Sequence, residues 1–483
     1  MKKLLAMLLV ISCLLSFSSF AMAADAPVVT ALIYTSQMPA EENSVLDEIR
    51  ARTGINFQPT MVENDAYAEK FNTLAAAGML PDIVRITGYD QIQEMIEFGA
   101  IIPLNDLLES HGQEIVANMG DDLYSTIAVK DGQVYGMPVE QARLQALMVR
   151  QDWLDALGLK APTTLEEFYD VAVAFTKNDP DGDGQNDTVA LAATMAFPAT
   201  VQFLFTSHGV PYNAGGFDNN ILVDGEVKPY FMHEDYLTAI EYIRKLYSEG
   251  LMEPDFVTIA NMSSLEKLWN GTHGFYFGDP IGTSNNWLIG GRYTEDPQPV
   301  MTYTLVANAD GEGGAMAPQY SSFWAISSTC KNPEAAMDLI NYLCSEEGNE
   351  LAYAGIEGKH WAWNEDGTIS YLNEYADSAT HRDDGGYMYF RDLRHDGLER
   401  KILNATTRYG YEVAQSNLLP YIYLVQTPAA QADITFDANE MMASLVTSTG
   451  DIKAEYDAYI AEFLANGGAE WIKQATEIYN ASI

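Results

Sequence analysis

Residues 28–99 switch repeatedly between two hydrophobic periods, and that alternation restricts the fold more than any other feature of the chain. Val28 to Tyr34 is β-branched and apolar, as in a buried strand. Asn43 to Arg52 carries Val45, Leu46 and Ile49 at helical spacing. Ile55-Asn56-Phe57 alternates as a second strand, and Ala66 to Ala77 is an alanine-rich helix closed by Gly78. Pro81 to Ile86 makes a third short strand, and Ile92 to Phe98 a helix ending at Gly99. The order strand, helix, strand, helix, strand requires crossover connections, and so predicts a parallel sheet covered by helices.

A second region of the same kind begins near residue 140. Ala146 to Val149 reads as a buried strand. Pro162 to Glu167 opens a helix, with Thr164 and Glu167 spaced as a capping box. Tyr236 to Glu249 places Leu237, Ile240, Ile243 and Tyr247 on one stripe before Gly250. The last quarter is mostly helical, with Asp451 to Leu464 the clearest case. A chain of 483 residues with 47% hydrophobic content can bury the cores of two or three domains. With neither an internal repeat nor a low-complexity linker, the domains are expected to be joined by short structural crossings.

The N-terminus predicts export. Lys2 and Lys3 precede an apolar run from Leu4 to Leu15, and Ala21-Met22-Ala23 has the small-x-small form of a cleavage site. Residues 1–23 therefore read as a signal peptide, and the later sequence has no run apolar enough to span a membrane. Val10-Ile11-Ser12-Cys13 loosely resembles a lipidation box but sits inside the apolar run, so an anchor at Cys13 is the less favoured reading. Cys330 and Cys344 flank a helix opened by Asn332-Pro333-Glu334. Eleven helical residues separate the ends by roughly 16 Å, too far for a disulfide. A net charge of −42, from 68 acidic and 26 basic residues, argues against nucleic acid and anionic membrane partners.

The strongest local motif is Asp179-Pro180-Asp181-Gly182-Asp183-Gly184-Gln185-Asn186-Asp187. Acids at loop positions 1, 3, 5 and 9, with glycine at 6, reproduce the start of an EF-hand loop, in which alternate residues on a tight turn converge on one hard cation. Asp179, Asp181, Asp183, the Gln185 carbonyl and Asp187 are the candidate Ca²⁺ ligands. Position 12 is Ala190 rather than glutamate, and no second hand follows. A structural staple with a Kd of about 10⁻⁴ to 10⁻³ M is expected.

Motifs for catalysis are missing. There is no His-Glu-x-x-His, no Gly-x-Ser-x-Gly, and Gly355 to His360 lacks phosphate-loop spacing. Aromatic residues are abundant: 28 tyrosines, 19 phenylalanines and 7 tryptophans. Many stand beside glycine or asparagine, at Gly274 to Asp279, Asn285-Asn286-Trp287, His360 to Trp363 and Gly386 to Tyr389. Loop aromatics of this kind can stack on the C–H faces of sugar rings.

Several stretches, taken in order, resemble the extracellular solute-binding proteins of carbohydrate ABC importers, in the subgroup with a calcium loop. They are Gly78 to Ile83, Val134 to Pro138, Arg150 to Leu154 with Pro162 to Phe168, Ser322 to Ser327 with Asn332 to Ala336, and Gly355 to Gly358. The resemblance implies an α/β, two-lobed periplasmic-binding-protein-like fold, with a ligand cleft between the lobes and a three-crossing hinge. It places lobe one at 25–140 plus 280–327, and lobe two at 141–279 plus 328–483 with calcium loop 179–187. It implies an oligosaccharide ligand, ABC permease subunits as partners, a monomer, an extracytoplasmic location and no catalysis.

Ligands of open α/β sheets bind at strand ends. That rule nominates Tyr34, Ser36 and Gln37 after the first strand, and Thr87, Tyr89 and Asp90 after the third. It also nominates Arg143 beside the first crossing, Phe197 after the calcium-loop strand, Asp279 and Trp287 after the Phe275–Phe277 segment, and Trp361 after Gly358. Asp82 is expected to cap a turn, and Trp153 and Trp324 to pack in the core. The net charge disfavours uronates, with Arg143 as a local exception. The alternatives are a peptide or signal-molecule binder of the same fold and, more remotely, an exported calcium-dependent glycan-degrading enzyme.

Overall fold

The computed structural model describes residues 26–35, 37–139, 145–212, 219–280, 299–316, 322–365, 367, 369–390, 405–422, 424 and 428–482. Nine strands make its two main sheets. They are β1 (Val28–Thr35), β2 (Asn56–Glu63), β3 (Ile83–Thr87), β4 (Met137–Val139), β5 (Ala146–Arg150), β6 (Val189–Ala192), β7 (His273–Gly278), β8 (Met301–Thr304) and β9 (Ser322–Ile326).

The first sheet has the order β2-β1-β3-β9-β4. β1 runs parallel to β2 and β3, as the sequence predicts, but β9 is antiparallel to both β3 and β4, so the sheet is mixed rather than parallel. Pro59 is tolerated in β2 because β2 lies at the edge, where a missing N–H breaks no ladder. Alternation along β9 sends Trp324 and Ile326 to one face and Phe323 and Ala325 to the other. The Trp324 face packs on Val45, Leu46 and Ile49 of helix Ser44–Thr53. The Phe323 face packs on Phe71, Ile92 and Met95 of helices Asn64–Ala76 and Tyr89–Glu97. Asp82 holds the start of β3 to β1, its carboxylate accepting from the Thr30 N–H and Oγ1–H, both at 2.7 Å.

The second sheet has the order β8-β5-β7-β6, with β6 parallel to β7 and β5 antiparallel to its neighbours. Phe275 and Phe277 of β7 pack on Phe168, Phe175 and Phe203, with Trp153 edge-on to Phe175. Thr164 caps helix Leu165–Lys177 by accepting from the Glu167 N–H. In return the Glu167 carboxylate accepts from the N–H and hydroxyl of Thr163, one residue earlier than a capping box requires.

The segment boundaries differ from those expected. Residues 301–304 pair with β5 in the second sheet, although 280–327 was expected in lobe one. Helices Pro333–Cys344 and Glu346–Ala354, together with Met388, Tyr389 and Phe390, pack in the core of the first sheet, although 328–483 was expected in lobe two. The chain therefore builds lobe one up to residue 139, lobe two from 146 to 316, lobe one again from 322 to 390, and lobe two from 405 onward. The described residues thus change lobe three times along the chain. Helical periodicity reveals a buried face but not the sheet that buries it. Cys330 and Cys344 are free thiols, as their separation required. The Asn332 side chain donates to Val28 O rather than capping its helix. Residues 1–23, expected to form a signal peptide, and Cys13 within them lie outside the described residues.

Candidate functional site

The crossings define an edge on each sheet. β4 ends at Val139 just before the first crossing, and β9 begins at Ser322 just after the second. Ser322 is in register with both Val139 and Thr87, so the C-terminal ends of β3 and of its parallel neighbour β1 lie on that same edge. On the second sheet β5 begins after the first crossing with Ala146 opposite Gly278. The C-terminal ends of β7 and its parallel neighbour β6 therefore lie on the crossing edge too. Tyr34, Thr87, Tyr89 and Asp90 stand at one edge; Phe197 and Asp279 stand at the other.

On lobe one Tyr34 is half-buried. It meets Tyr67 edge-on at 6.1 Å, and the Arg85 guanidinium lies 4.2 Å from its ring centre. Arg85, a cation within a short strand, was not nominated from the sequence. The Thr87 hydroxyl is 3.1 Å from that of Ser322, and the Gln37 amide donates to Ala379 O at 3.2 Å. Tyr89 and Asp90 open helix Tyr89–Glu97, where an acid suits the N-terminal end of the dipole. On lobe two Phe197 precedes the short helix Pro198–Val201, and Asp279 accepts from the Tyr411 hydroxyl at 3.2 Å. Ser36, Arg143 and Trp287 lie outside the described residues.

Trp361 is not at the surface. It is 2% exposed, its indole N–H donates to Gly355 O at 2.9 Å, and it packs with Tyr353, Ile369 and Tyr387. Its neighbour Trp363 is 39% exposed and stands edge-on to it at 5.1 Å. Other expected loop aromatics are also core residues. Phe275, Tyr276 and Phe277 form the fully buried strand β7, and Tyr387, Met388 and Tyr389 are buried. The adjacent glycines account for this burial. A Cβ on Gly274 would run into the Phe175 ring, and one on Gly386 into the His381 ring. These glycines make room for aromatic packing rather than marking loops. Trp153 and Trp324 are each 1% exposed, as expected.

A polar knot that the sequence did not disclose sits beside this edge. The Asp384 carboxylate accepts from the N–H and the Oγ–H of Ser44 at 2.8 and 2.6 Å, Lys359 Nζ at 2.6 Å, His360 Nε2 at 3.0 Å and the Tyr375 hydroxyl at 3.2 Å. Despite partial burial, these donors hold Asp384 well below the usual carboxylate range. Burial pushes His381 down to about 4, and it donates Nε2–H to Ala354 O at 2.9 Å.

The acidic loop follows helix Leu165–Lys177 and leads into β6. Asp179, at φ 47°, and glycines 182 and 184, at 73° and 85°, give the turn that brings three carboxylates together. One oxygen from each of Asp179, Asp181 and Asp183 lies within 4.8 Å of the others. Asp179 Oδ2 accepts from the Gly184 N–H at 3.0 Å, while its Oδ1 is buried with no hydrogen bond. Burial, and then Asp179, push the Asp181 carboxyl up. An enclosed, unpaired carboxylate oxygen among converging acids fits a hard cation. Asp187 stands outside this grouping, in contrast to the expected ligand set.

A family profile described as "Bacterial extracellular solute-binding protein" matches residues 35–350. The polygalacturonan/rhamnogalacturonan-binding protein YtcQ of Bacillus subtilis is 27% identical over 351 residues, covering 70% of this chain and 67% of that protein. The fructooligosaccharide ABC transporter substrate-binding protein FusA of Streptococcus pneumoniae is 25% identical over 299 residues, covering 57% of this chain and 53% of FusA. A solved structure of a FusA EF-hand mutant with fructo-nystose aligns with a TM-score of 0.64, 19% identity and coverage of 94% and 99%. An HMO-binding, ABC-transporter-associated solute-binding protein from Bifidobacterium longum infantis aligns with a TM-score of 0.69, 20% identity and coverage of 95% and 99%.

Proposed function

The chain belongs to the bacterial extracellular solute-binding proteins, and from that premise we propose that it captures an oligosaccharide outside the cytoplasm and delivers it to an ABC permease. The observation that carries this reading is the alignment of the strand-end residues with the crossings. Tyr34 and Thr87 end strands on one crossing edge, and Asp279 ends a strand on the other. A ligand held by both edges favours the closed arrangement by its contacts with each lobe, and the three crossings act as the hinge. Tyr34 offers an aromatic surface, and Asp90 and Asp279 offer carboxylates to hydroxyl groups. The named ligands of YtcQ and FusA support the carbohydrate class. The site does binding, not chemistry.

The acidic loop is assigned to Ca²⁺, held by Asp179, Asp181 and Asp183 with the Gln185 carbonyl. Its part is to neutralise the converged carboxylates and tie helix Leu165–Lys177 to β6. The FusA EF-hand variant supports this assignment. Export through residues 1–23, a monomeric state and permease partners complete the reading.

Thermal unfolding of the mature protein against acidic and neutral oligosaccharides tests it. A ligand at a hundredfold excess over Kd adds about 2.7 kcal/mol to stability. The expected result is a raised Tm with one glycan class, and that glycan recovered intact. Stabilisation by peptides alone, or consumption of the glycan, would refute the proposal.

A further inference from the structure

Lobe two contains a group of enclosed polar atoms that the protein leaves unpaired. The Tyr212, Tyr230 and Tyr236 side chains are 0%, 1% and 0% exposed, and their hydroxyls make no hydrogen bond. Asn219 is 2% exposed, with neither its Nδ2 nor its Oδ1 paired.

These four residues share one location. Tyr230 N donates to Asn219 O at 3.1 Å, extending the antiparallel hairpin of Asn220–Val223 and Glu226–Pro229 by one pair. Residues opposite one another on such a ladder project from the same face, so Asn219 and Tyr230 point to the same side. The Tyr230 ring meets Tyr212 edge-on at 5.2 Å and lies 6.1 Å from Tyr236. Tyr230 and Tyr236 both act electrostatically on the Tyr212 hydroxyl. Phe205 stacks on Tyr212 and Tyr236 at 4.3 and 5.5 Å and helps to seal the space. Asn220, also unpaired, projects to the opposite face and is not part of the group.

A buried polar group without a partner bears its full desolvation cost, so such groups are almost always met by protein or by ordered water. The donor and acceptor inventory identifies the occupant. Three O–H groups and the Asn219 N–H require acceptors, while the Asn219 carbonyl requires a donor. Each hydroxyl can accept as well as donate, so a neutral molecule with both functions, as water has, meets the whole set, and the surrounding aromatic rings demand that it be small. We propose that Tyr212, Tyr230, Tyr236 and Asn219 enclose a cluster of ordered water in the core of lobe two, integral to its hydrogen bonding.

A crystal structure of the mature protein at a resolution that shows ordered solvent tests this directly. Water density within hydrogen-bonding distance of at least two of the four side chains is expected. An empty space, or one filled by protein atoms, overturns the proposal. Thermal unfolding supplies a second test with opposite signs. If water bridges the hydroxyls, Tyr236→Phe and Tyr212→Phe strand that water, and each lowers Tm by about 1–2 °C. If the hydroxyls are unmet, removing one relieves a cost, so an unchanged or raised Tm overturns the proposal. Should neither variant fold, the density of the unaltered protein decides.

Discussion

His360 donates its Nε2–H to Asp384 across 3.0 Å, and its other ring nitrogen leaves it no choice of tautomer. Nδ1 accepts the Ile356 backbone N–H at 2.7 Å, so in the neutral ring the proton must sit on Nε2. The ring is fully buried, and the same carboxylate gathers Ser44, Lys359 and Tyr375. One aspartate thereby binds three stretches of lobe one that are far apart in sequence.

Asp384→Ala removes the common acceptor of all five donors. Lys359 and Tyr375 can turn toward water, but His360 and the Ser44 N–H have less freedom. A loss of about 2–3 kcal/mol is expected, less than for a fully enclosed ion pair because Asp384 keeps some solvent contact. Urea unfolding checks this. Asp384→Asn should recover only part of the loss, since its amide can accept from some donors but its N–H₂ opposes others.

Acid should destabilise the protein well above the pH at which ordinary carboxylates titrate. His381 is held down at about 4, and burial also lowers His360. A histidine depressed in the folded state binds more protons when unfolded, so its stabilising contribution is complete above an unfolded value near 6.5. For His381 that contribution is lost as pH falls from about 6.5 to about 4. Asp384, also depressed, adds a further loss below an unfolded carboxylate value near 4. Tm measured from pH 8 to pH 2 should therefore fall in two stages, the first complete near pH 4 and the second below it. His381→Gln, which keeps a donor for Ala354 O, should flatten the upper stage.

Gly274→Ala should be costly although it adds one methyl group. Its Cβ would enter the Phe175 ring and press on Trp153, both buried in the lobe-two core. Overpacking of this kind costs about 1–3 kcal/mol, which denaturant titration would resolve. An unchanged midpoint would mean that Gly274 is not needed to make room for the Phe175 ring.

The parts of the fold that local chemistry determines were readable from the sequence. Strands β1 and β3, the Thr164 cap and the impossibility of a Cys330–Cys344 bridge each depend on a few neighbouring residues. The parts set by distant partners were not. Residues 301–304 gain a sheet only by pairing with β5, and Ser44 and Asp384 are 340 positions apart. Trp361 and Trp363 stand two residues apart in nearly identical sequence, yet one is buried and the other exposed. Both pair with Ile369–Tyr371 and share one face of that hairpin, so what separates them is the cover that Tyr353 and Tyr387 bring to Trp361.

Calcium should stabilise the mature protein in a way that depends on Asp179. Without a cation three carboxylates converge and Asp179 Oδ1 is unpaired. A chelator should lower Tm, and restoring Ca²⁺ should raise it with a midpoint of about 10⁻⁴ to 10⁻³ M. In Asp179→Ala the chelated and calcium-loaded transitions should coincide. Asp187→Ala should keep the calcium response, because Asp187 stands outside the grouping.

Trp361 and Asp279 provide the sharpest separation of packing from binding. Trp361→Phe removes the hydrogen bond to Gly355 O and leaves space against Tyr353 and Tyr387, so it should cost about 1–3 kcal/mol of stability. It should leave oligosaccharide affinity within twofold. Asp279→Ala changes a half-buried carboxylate at the end of β7 and removes its bond from Tyr411, so Tm should change little. If Asp279 accepts a sugar hydroxyl, a charge-assisted hydrogen bond worth about 1.5–3 kcal/mol is lost, and affinity should fall roughly 10- to 100-fold. Calorimetric titration of both variants with the glycan found by the thermal screen reads the two effects separately. Weakened binding in Trp361→Phe, with full affinity in Asp279→Ala, would invert the roles assigned to these residues and move the ligand away from the end of β7.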